Sequence, residues 1–333
     1  MTLALSVLDQ APVHHGSTPA DALGVTLALA RAVEAMGYRR YWVAEHHGTR
    51  SLAATAPEIL VGAAAGCTST IRVGSGGVLL SHYSPLKVAE TFRTLAAFHP
   101  GRIALGVGRH PGADAVTEAA LQYVPGVPGD ERYVDKVVDL VGFLSDRLEP
   151  DHPFEGVTAM PDGVPPPPVW MLGSSSHSGA VAAYLGLPFA FAHFITSAFG
   201  AQVMHAYRRG FQPSERAAAP QALVAVGVMC ADTDAEAERL ARSADIWRLR
   251  PEGAERGPLL SPEDAAAQPL TEVEEAKVAQ ARAATVVGSR SRVRDELTAL
   301  AEDYGVDEVM VLTVCHDQSA RLRSYELLAE AFL

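Results

Sequence analysis

Cysteine is scarce in this chain. Its 333 residues hold three, Cys67, Cys230 and Cys315, far apart and none in a CxxC pair. That excludes a disulfide framework and a structural zinc knuckle, and it points to a reducing, cytoplasmic setting. Positive charge is short as well: 27 Lys and Arg face 39 Asp and Glu, a net charge of −12. Such a balance argues against a general binder of nucleic acid or of anionic membrane. No eighteen-residue apolar run occurs, so no membrane span is expected. The opening "MTLALSVLDQAP" lacks a basic leader region and a signal-type cleavage site, and reads as a first buried strand. An early GxGxxG is also missing, which removes the dinucleotide-binding fingerprint.

What is present is a large apolar fraction, 48% of residues, enough for a sizeable core. Apolar runs and helical patterns alternate along the whole length. Strands are expected at 3–9, 40–46, 71–81, 102–108, 167–173, 187–194, 222–231 and 307–314. Amphipathic helices are expected between them, at 20–37, 56–68, 85–101, 130–146, 178–186, near 198–211, at 233–247, 289–305 and 319–333. About eight strand–helix units predict a single α/β domain over 1–333, a closed (β/α)8 TIM barrel. Two stretches exceed the plain pattern: 110–129, and a long insertion at 249–284. Both fall on strand-to-helix connections, the face where barrels build active sites, and the second is a candidate lid.

The chemistry-bearing residues cluster at predicted strand ends. The second strand ends in Glu45-His46-His47. Alternation along a strand sends His46 one way and Glu45 and His47 the other, so the pair does not converge on one ion. With no downstream HxxH or HxxxD, a metal site is not expected. One functional and one structural histidine fits better; two rim histidines held by hydrogen bonds is the alternative. The third strand carries Gly74, Gly76 and Gly77. Missing side chains suit either a flat cofactor or close packing. Arg109 follows the fourth strand and suits an anion such as phosphate, or a surface ion pair. The loop "LGSSSHSG" opens a helix with Ser174, Ser175, Ser176 and Ser178. Helix N-terminal amides beside hydroxyls make an anion site, or one serine simply caps the helix. Residues 286–291, "VVGSRS", compete for that role, because barrels more often bind phosphate near strands seven and eight.

Five stretches taken together resemble the bacterial luciferase-like, flavin-dependent monooxygenases, in their small single-chain branch. They are "YWVAEHH", "VGSGGVLLSHYSPLKVAE", "FHPGRIALGVGRHPGAD", "LGSSSHSGAVAAYLGLPFAFAHF" and "DEVMVLTVCHDQSARLRSYELLA", in the family's order across nearly the whole chain. The resemblance implies FMN at the C-terminal mouth of the barrel. His46 matches the catalytic histidine. Gly76 and Gly77 match a non-prolyl cis peptide under the flavin ring. Arg109 matches a phosphate-binding arginine, and Ser174, Ser175 and Ser178 match the phosphate loop, against 286–291. The implied reaction uses reduced flavin and O2 to oxygenate a small organic substrate through a flavin peroxide. Reduced flavin would come from a separate reductase, and a homodimer is the family expectation. F420-dependent hydride transfer and a flavin-binding protein without turnover are the alternatives. Two departures stand out. Gly108 replaces the cysteine of luciferase itself, so light emission is not implied. Ala192 stands where a serine is expected before His193, which leaves the role of His193 open.

Overall fold

The apolar runs form nine strands. They are β1 (Ala4–Asp9), β2 (Arg40–Val43), β3 (Arg72–Leu79), β4 (Ile103–Gly108), β5 (Val169–Gly173), β6 (Phe189–Ala192), β7 (Ala222–Ala231), β8 (Thr285–Ser289) and β9 (Glu308–Leu312). These elements come from a computed structural model, which describes residues 3–109, 112–122, 132–250, 253 and 256–333. Pairing is parallel throughout: β1 to β6 follow in order, β6 pairs with β7, β7 with β9, and β9 with β1. The ring therefore closes on eight strands, the expected barrel, and each strand is buried on both faces.

Helices intervene between the strands along the chain. They are α1 (Pro19–Ala35), α2 (Pro57–Gly66), α3 (Pro85–Phe98), a short α4 (Ala115–Gln122), α5 (Tyr133–Leu144), α6 (Ser176–Tyr184) and α7 (Gly200–Gly210). Then come α8 (Asp234–Leu249), α9 (Pro262–Ala266), α10 (Glu272–Arg282), α11 (Arg290–Tyr304) and α12 (Gln318–Phe332). Proline in the first turn starts α1, α2 and α3, where its missing N–H costs nothing. Thr18 closes a capping box on Asp21 at the head of α1.

The structure corrects the expected extent of the second insertion. The sequence suggests the helix at 233–247 as the partner of the seventh strand, with an insertion from 249. Instead β7 outlasts the barrel. Its lower residues pair with β6, and β8 takes β6's place beside Gly227–Ala231. Outward-facing Val224, Val226, Val228 and Cys230 share a core with Val293, Leu297 and Ala301 of α11. Inward-facing Met229 and Ala231 are covered by Ala237, Leu240 and Ala241 of α8. So α11 is the barrel helix, and α8, α9, α10 and β8 form one excursion standing on the mouth. Ala244 and Trp247 at the end of α8 join the cluster that fills the barrel, with Leu8, Trp42, Ala225 and Met310. The excursion is pinned across the mouth at Leu259, whose N–H donates to Val13 O (2.9 Å) while its carbonyl accepts from His15 N (2.8 Å). In the first insertion, α4 occupies part of 110–129; residues 110–111 and 123–131 lie outside the described ones.

The seam where the last strand meets the first is held by buried charge. Asp9, at the end of β1, accepts from Arg321 Nη2 of α12 (2.8 Å), Tyr41 of β2 (2.6 Å), Thr26 of α1 (2.8 Å) and its own loop at Ala11 N (2.9 Å). Burial would raise its pKa, but Arg321 and these hydrogen bonds outweigh that and hold it below the ordinary value. At the other end of the seam Glu308 accepts from Ser6 (2.6 Å) and Arg40 (2.7 Å).

A carboxyl with a depressed folded-state pKa stabilises the fold above its unfolded value, about 4, and loses that contribution as pH falls through the folded value. Arg321→Met removes the cation and leaves Asp9 buried. Urea unfolding at pH 7 should show a loss of about 3–5 kcal/mol. Combining it with Asp9→Asn should recover much of the loss; no recovery would show that the pairing is not the cause.

Candidate functional site

Barrel interiors are filled by the inward residues of each strand, and here the filling is lopsided. Trp42 and Trp170 meet edge to face at 5.5 Å and plug the lower interior. Gly74 makes room for them: a Cβ there would stand 2.8 Å from Trp42 Nε1 and 2.6 Å from Ala104 O. Gly76 and Gly77 are as constrained, with Leu8 Cδ1 at 2.7 Å and Gly106 O at 2.8 Å from their absent Cβ atoms. The peptide between them is cis, as the resemblance led us to expect. Gly108 differs, since a Cβ there would meet only Leu79, at 3.8 Å. Close packing therefore accounts for Gly74, Gly76 and Gly77 alike, although the last two also border open space, as does the uncrowded Gly108.

That space is a cavity of about 490 Å³ at the C-terminal mouth. The structure gathers seven of the candidates from the sequence onto its wall, His46, Gly76, Gly77, Arg109, Ser174, Ser175 and Ser178, whereas Ser176 and Gly74 do not line it. On one side β3, β4 and β5 offer a wall stripped of side chains by Gly76, Gly77, Gly108 and Gly173. At one end Arg109 and the first turn of α6 supply positive charge and amide donors. Ser175 and Ser178 form a reciprocal capping box, with Ser178 N 3.3 Å from Ser175 Oγ and Ser175 N 3.3 Å from Ser178 Oγ. The capping reading of this loop thus holds beside the anion reading. The rival stretch 286–291 is outside the cavity. Its helix end is filled internally, since Ser289 N donates to the Asp234 carboxylate at 2.6 Å.

The Glu45-His46-His47 triplet lies just past β2, which ends at Val43 rather than at 46. Its backbone is tied to neighbouring loops through His46 N to Ala54 O (2.9 Å) and His47 N to Gly112 O (3.0 Å). Beyond the strand, the separation expected from alternation holds for His46 and His47, while Glu45 borders the same cavity as His46. His46 borders the cavity, whereas His47 donates or accepts at Glu45 (2.7 Å). The Glu45 carboxylate is buried and also accepts from Leu79 N (2.9 Å) and Tyr83 (2.6 Å). It therefore locks the end of β2, which carries His46, to the end of β3, which carries the Gly76–Gly77 wall.

His193, left open by the sequence, turns away from the cavity and meets Tyr304 of α11 at 2.8 Å. Burial pushes its pKa down and raises that of Tyr304 to about 12. Its neighbours Ala192 and Phe194 border the cavity instead. Sequence reasoning missed Gln10, Tyr133, His177 and Ile195 on the wall. The signal for His177 was available, for it lies inside "SSSHSG". Among the described residues, no group of three His, Cys, Asp or Glu could hold a metal, and no helix is long and apolar enough to cross a membrane.

A family model described as luciferase-like monooxygenase matches residues 1–308. The uncharacterized protein YceB of Bacillus subtilis (strain 168) is 44% identical over 330 residues, 99% of either chain. The N-acetyl-S-alkylcysteine monooxygenase of the same organism is 34% identical, covering 99% of this chain and 98% of its own. The crystal structure of apo-MsnO8 is 42% identical with a TM-score of 0.89, covering 99% of this chain and 98% of its own. Two distant structures share the fold alone. One is the oxygenating constituent of 3,6-diketocamphane monooxygenase from Pseudomonas putida in complex with FMN (18% identity, TM-score 0.72, 100% and 98% coverage). The other is an F420-dependent secondary alcohol dehydrogenase (16%, 0.70, 100% of either chain).

Glu45→Ala would leave the Leu79 N–H and the Tyr83 hydroxyl without their acceptor. A loss of roughly 2–3 kcal/mol is expected in denaturant unfolding. Glu45→Gln, which keeps an acceptor oxygen, should lose less than half of that; equal losses would refute the hydrogen-bond account.

Proposed function

Because the chain belongs to the luciferase-like monooxygenase family, we propose that it is an FMN-dependent monooxygenase that oxygenates a small organic substrate with O2. The observation that carries this reading is the convergence of His46, the glycine wall and the Arg109–serine end on one cavity. Its volume falls in the range of cofactor and ligand sites, roughly 300–1,000 Å³. Arg109 and the first turn of α6 would hold the phosphate. Gly76, Gly77 and Gly108 border the cavity and would let a flat ring lie against the backbone. Reduced FMN, when bound, supplies the electrons that activate O2.

The rest is the work of this chain's own residues. His46 reaches the cavity from the β2 side, and a near-neutral imidazole is suited to giving or taking a proton at the reacting centre. Glu45, through Leu79 and Tyr83, fixes where that imidazole stands relative to the glycine wall. The excursion at 232–289, pinned at Leu259, covers one side of the mouth and limits water. We assign the supply of reduced flavin to a separate reductase.

Titration of the intact protein with FMN and with F420, oxidised and reduced, tests the cofactor. Tighter binding of FMN is expected, with Arg109→Gln weakening it about tenfold or more, the scale of one charge-assisted contact. Preference for F420 would replace this reading with hydride transfer. His46→Ala should bind FMN as the parent does, yet fail to couple O2 consumption to product with a panel that includes N-acetyl-S-methylcysteine and aliphatic aldehydes. Normal coupling in that variant would remove His46 from the chemistry.

A further inference from the structure

Gln10 follows β1 directly and is buried, with 9% of its surface exposed. Leu8 and Gln10 border the main cavity, whereas Asp9 between them turns away to Arg321 of α12. The parallel register carries on past the strand: Asp9 is level with Val43, and Asp9 O accepts from Ala44 N at 2.9 Å. Gln10 is therefore level with Ala44, and His46 follows Ala44 by two residues. All three line the same cavity. Round the ring the order runs β1, β2, β3. His46 thus lies between Gln10 and the Gly76–Gly77 wall.

Among the described residues the Gln10 carboxamide makes no hydrogen bond. Other polar side chains of the wall are committed: Glu45 accepts from Leu79 N and Tyr83, and Ser175 and Ser178 pair with each other. A buried amide left without partners is unfavourable, and what can pair it is a group that enters the cavity. The surroundings say which kind of group. Leu8, Trp42, Phe194, Ala225 and Met310 line the arc of the cavity that runs from β6 through β7 and β9 to β2. A few polar groups set in apolar walls are what orient a ligand in sites of this size. Arg109 is the one Lys or Arg among the described lining residues, and it follows β4, beyond the glycine wall. A carboxylate brought to Gln10 would lose its water without gaining a cation. A neutral amide offers one acceptor and a donor, and so matches both halves of the Gln10 side chain.

We propose that Gln10 sets substrate specificity: the substrate is an uncharged molecule whose amide group pairs with the Gln10 carboxamide, while its apolar part lies along Trp42, Phe194, Ala225 and Met310. The assignment rests on the monooxygenase reading for the word substrate, but the pairing itself does not depend on flavin.

The test titrates the full-length protein, saturated with oxidised FMN and separately free of flavin, with molecules of one shape. Hexanamide has donor and acceptor, 2-heptanone the acceptor alone, and hexanoate a charge. Calorimetry should show saturable binding of hexanamide, about tenfold or more tighter than hexanoate and roughly fivefold tighter than the ketone. Gln10→Leu should erase the preference for amide over ketone and leave FMN affinity unchanged. Gln10→Met, unbranched and of similar length, provides a second variant with the same readout should the first fold poorly. No saturable binding of hexanamide, equal binding of hexanamide and hexanoate, or an amide preference that survives in either variant overturns the proposal. So does a loss of FMN affinity in Gln10→Leu matching that of Arg109→Gln, which would make Gln10 a cofactor ligand. A parent that binds FMN but treats the three molecules alike loses this assignment and keeps the monooxygenase reading. One that prefers the amide but binds no flavin loses the monooxygenase reading and keeps the pairing.

Discussion

The barrel exists because its last strand finds its first, and the Asp9 carboxylate is the group on which that meeting turns. It gathers donors from α1, β2 and α12 onto the end of β1. Those are the first and last units of the chain, more than three hundred residues apart in sequence. A buried charge pair of this kind contributes little net stability relative to apolar packing, but it is costly to break and it tolerates few alternative arrangements. Glu308 does the same at the lower end of the seam, with Ser6 and Arg40. Register across β9, β1 and β2 is thereby fixed at both ends. Every strand end that contributes to the mouth depends on that register.

A second constraint follows inside the ring. Two tryptophans need space at the level of β2 and β5, and the glycine of β3 at position 74 and Ala104 of β4 provide it. Above that level the same two strands border the cavity through Gly76, Gly77 and Gly108, and the first two are themselves packed against Leu8 and Leu172. The lower barrel is therefore solid and the upper barrel hollow. The cavity is a consequence of where bulk stops. Glu45 then adds the finishing tie, since it binds the strand that bears His46 to the strand that bears the wall.

Much of this was legible in the residues, for reasons that differ from element to element. Alternating apolar runs and amphipathic helices reveal the barrel, because a strand buried on both faces leaves a local signature. Strand parity separates His46 from His47. The reason for Gly74 was not legible, since its partner Trp42 is thirty-two positions away. Nor was the place of α8. An amphipathic pattern says that one face is buried, not which side of a sheet buries it. Yet β7 carried a clue in its length: ten residues, apolar on both faces, outrun the four residues of β6 beside it. The inward-facing Met229 and Ala231 therefore rise above the ring and require a cover of their own. β8 escaped notice because five residues ending in Gly-Ser resemble a loop as much as a strand.

That cover turns a rim into a chamber. Had α8 packed outside the barrel, Arg248 would be an ordinary solvated arginine at a helix end, satisfied by the C-terminal carbonyls. Carried inward, it is desolvated beside Gly227 and Asp245, where a Cβ on the glycine would be tight against Thr285 and in ordinary contact with the guanidinium. The two sides are chemically different: one carries glycine backbone with Arg109 and the serine loop at its end, while on the other Ala244 and Trp247 of α8 join Ala225 in the cluster that fills the barrel.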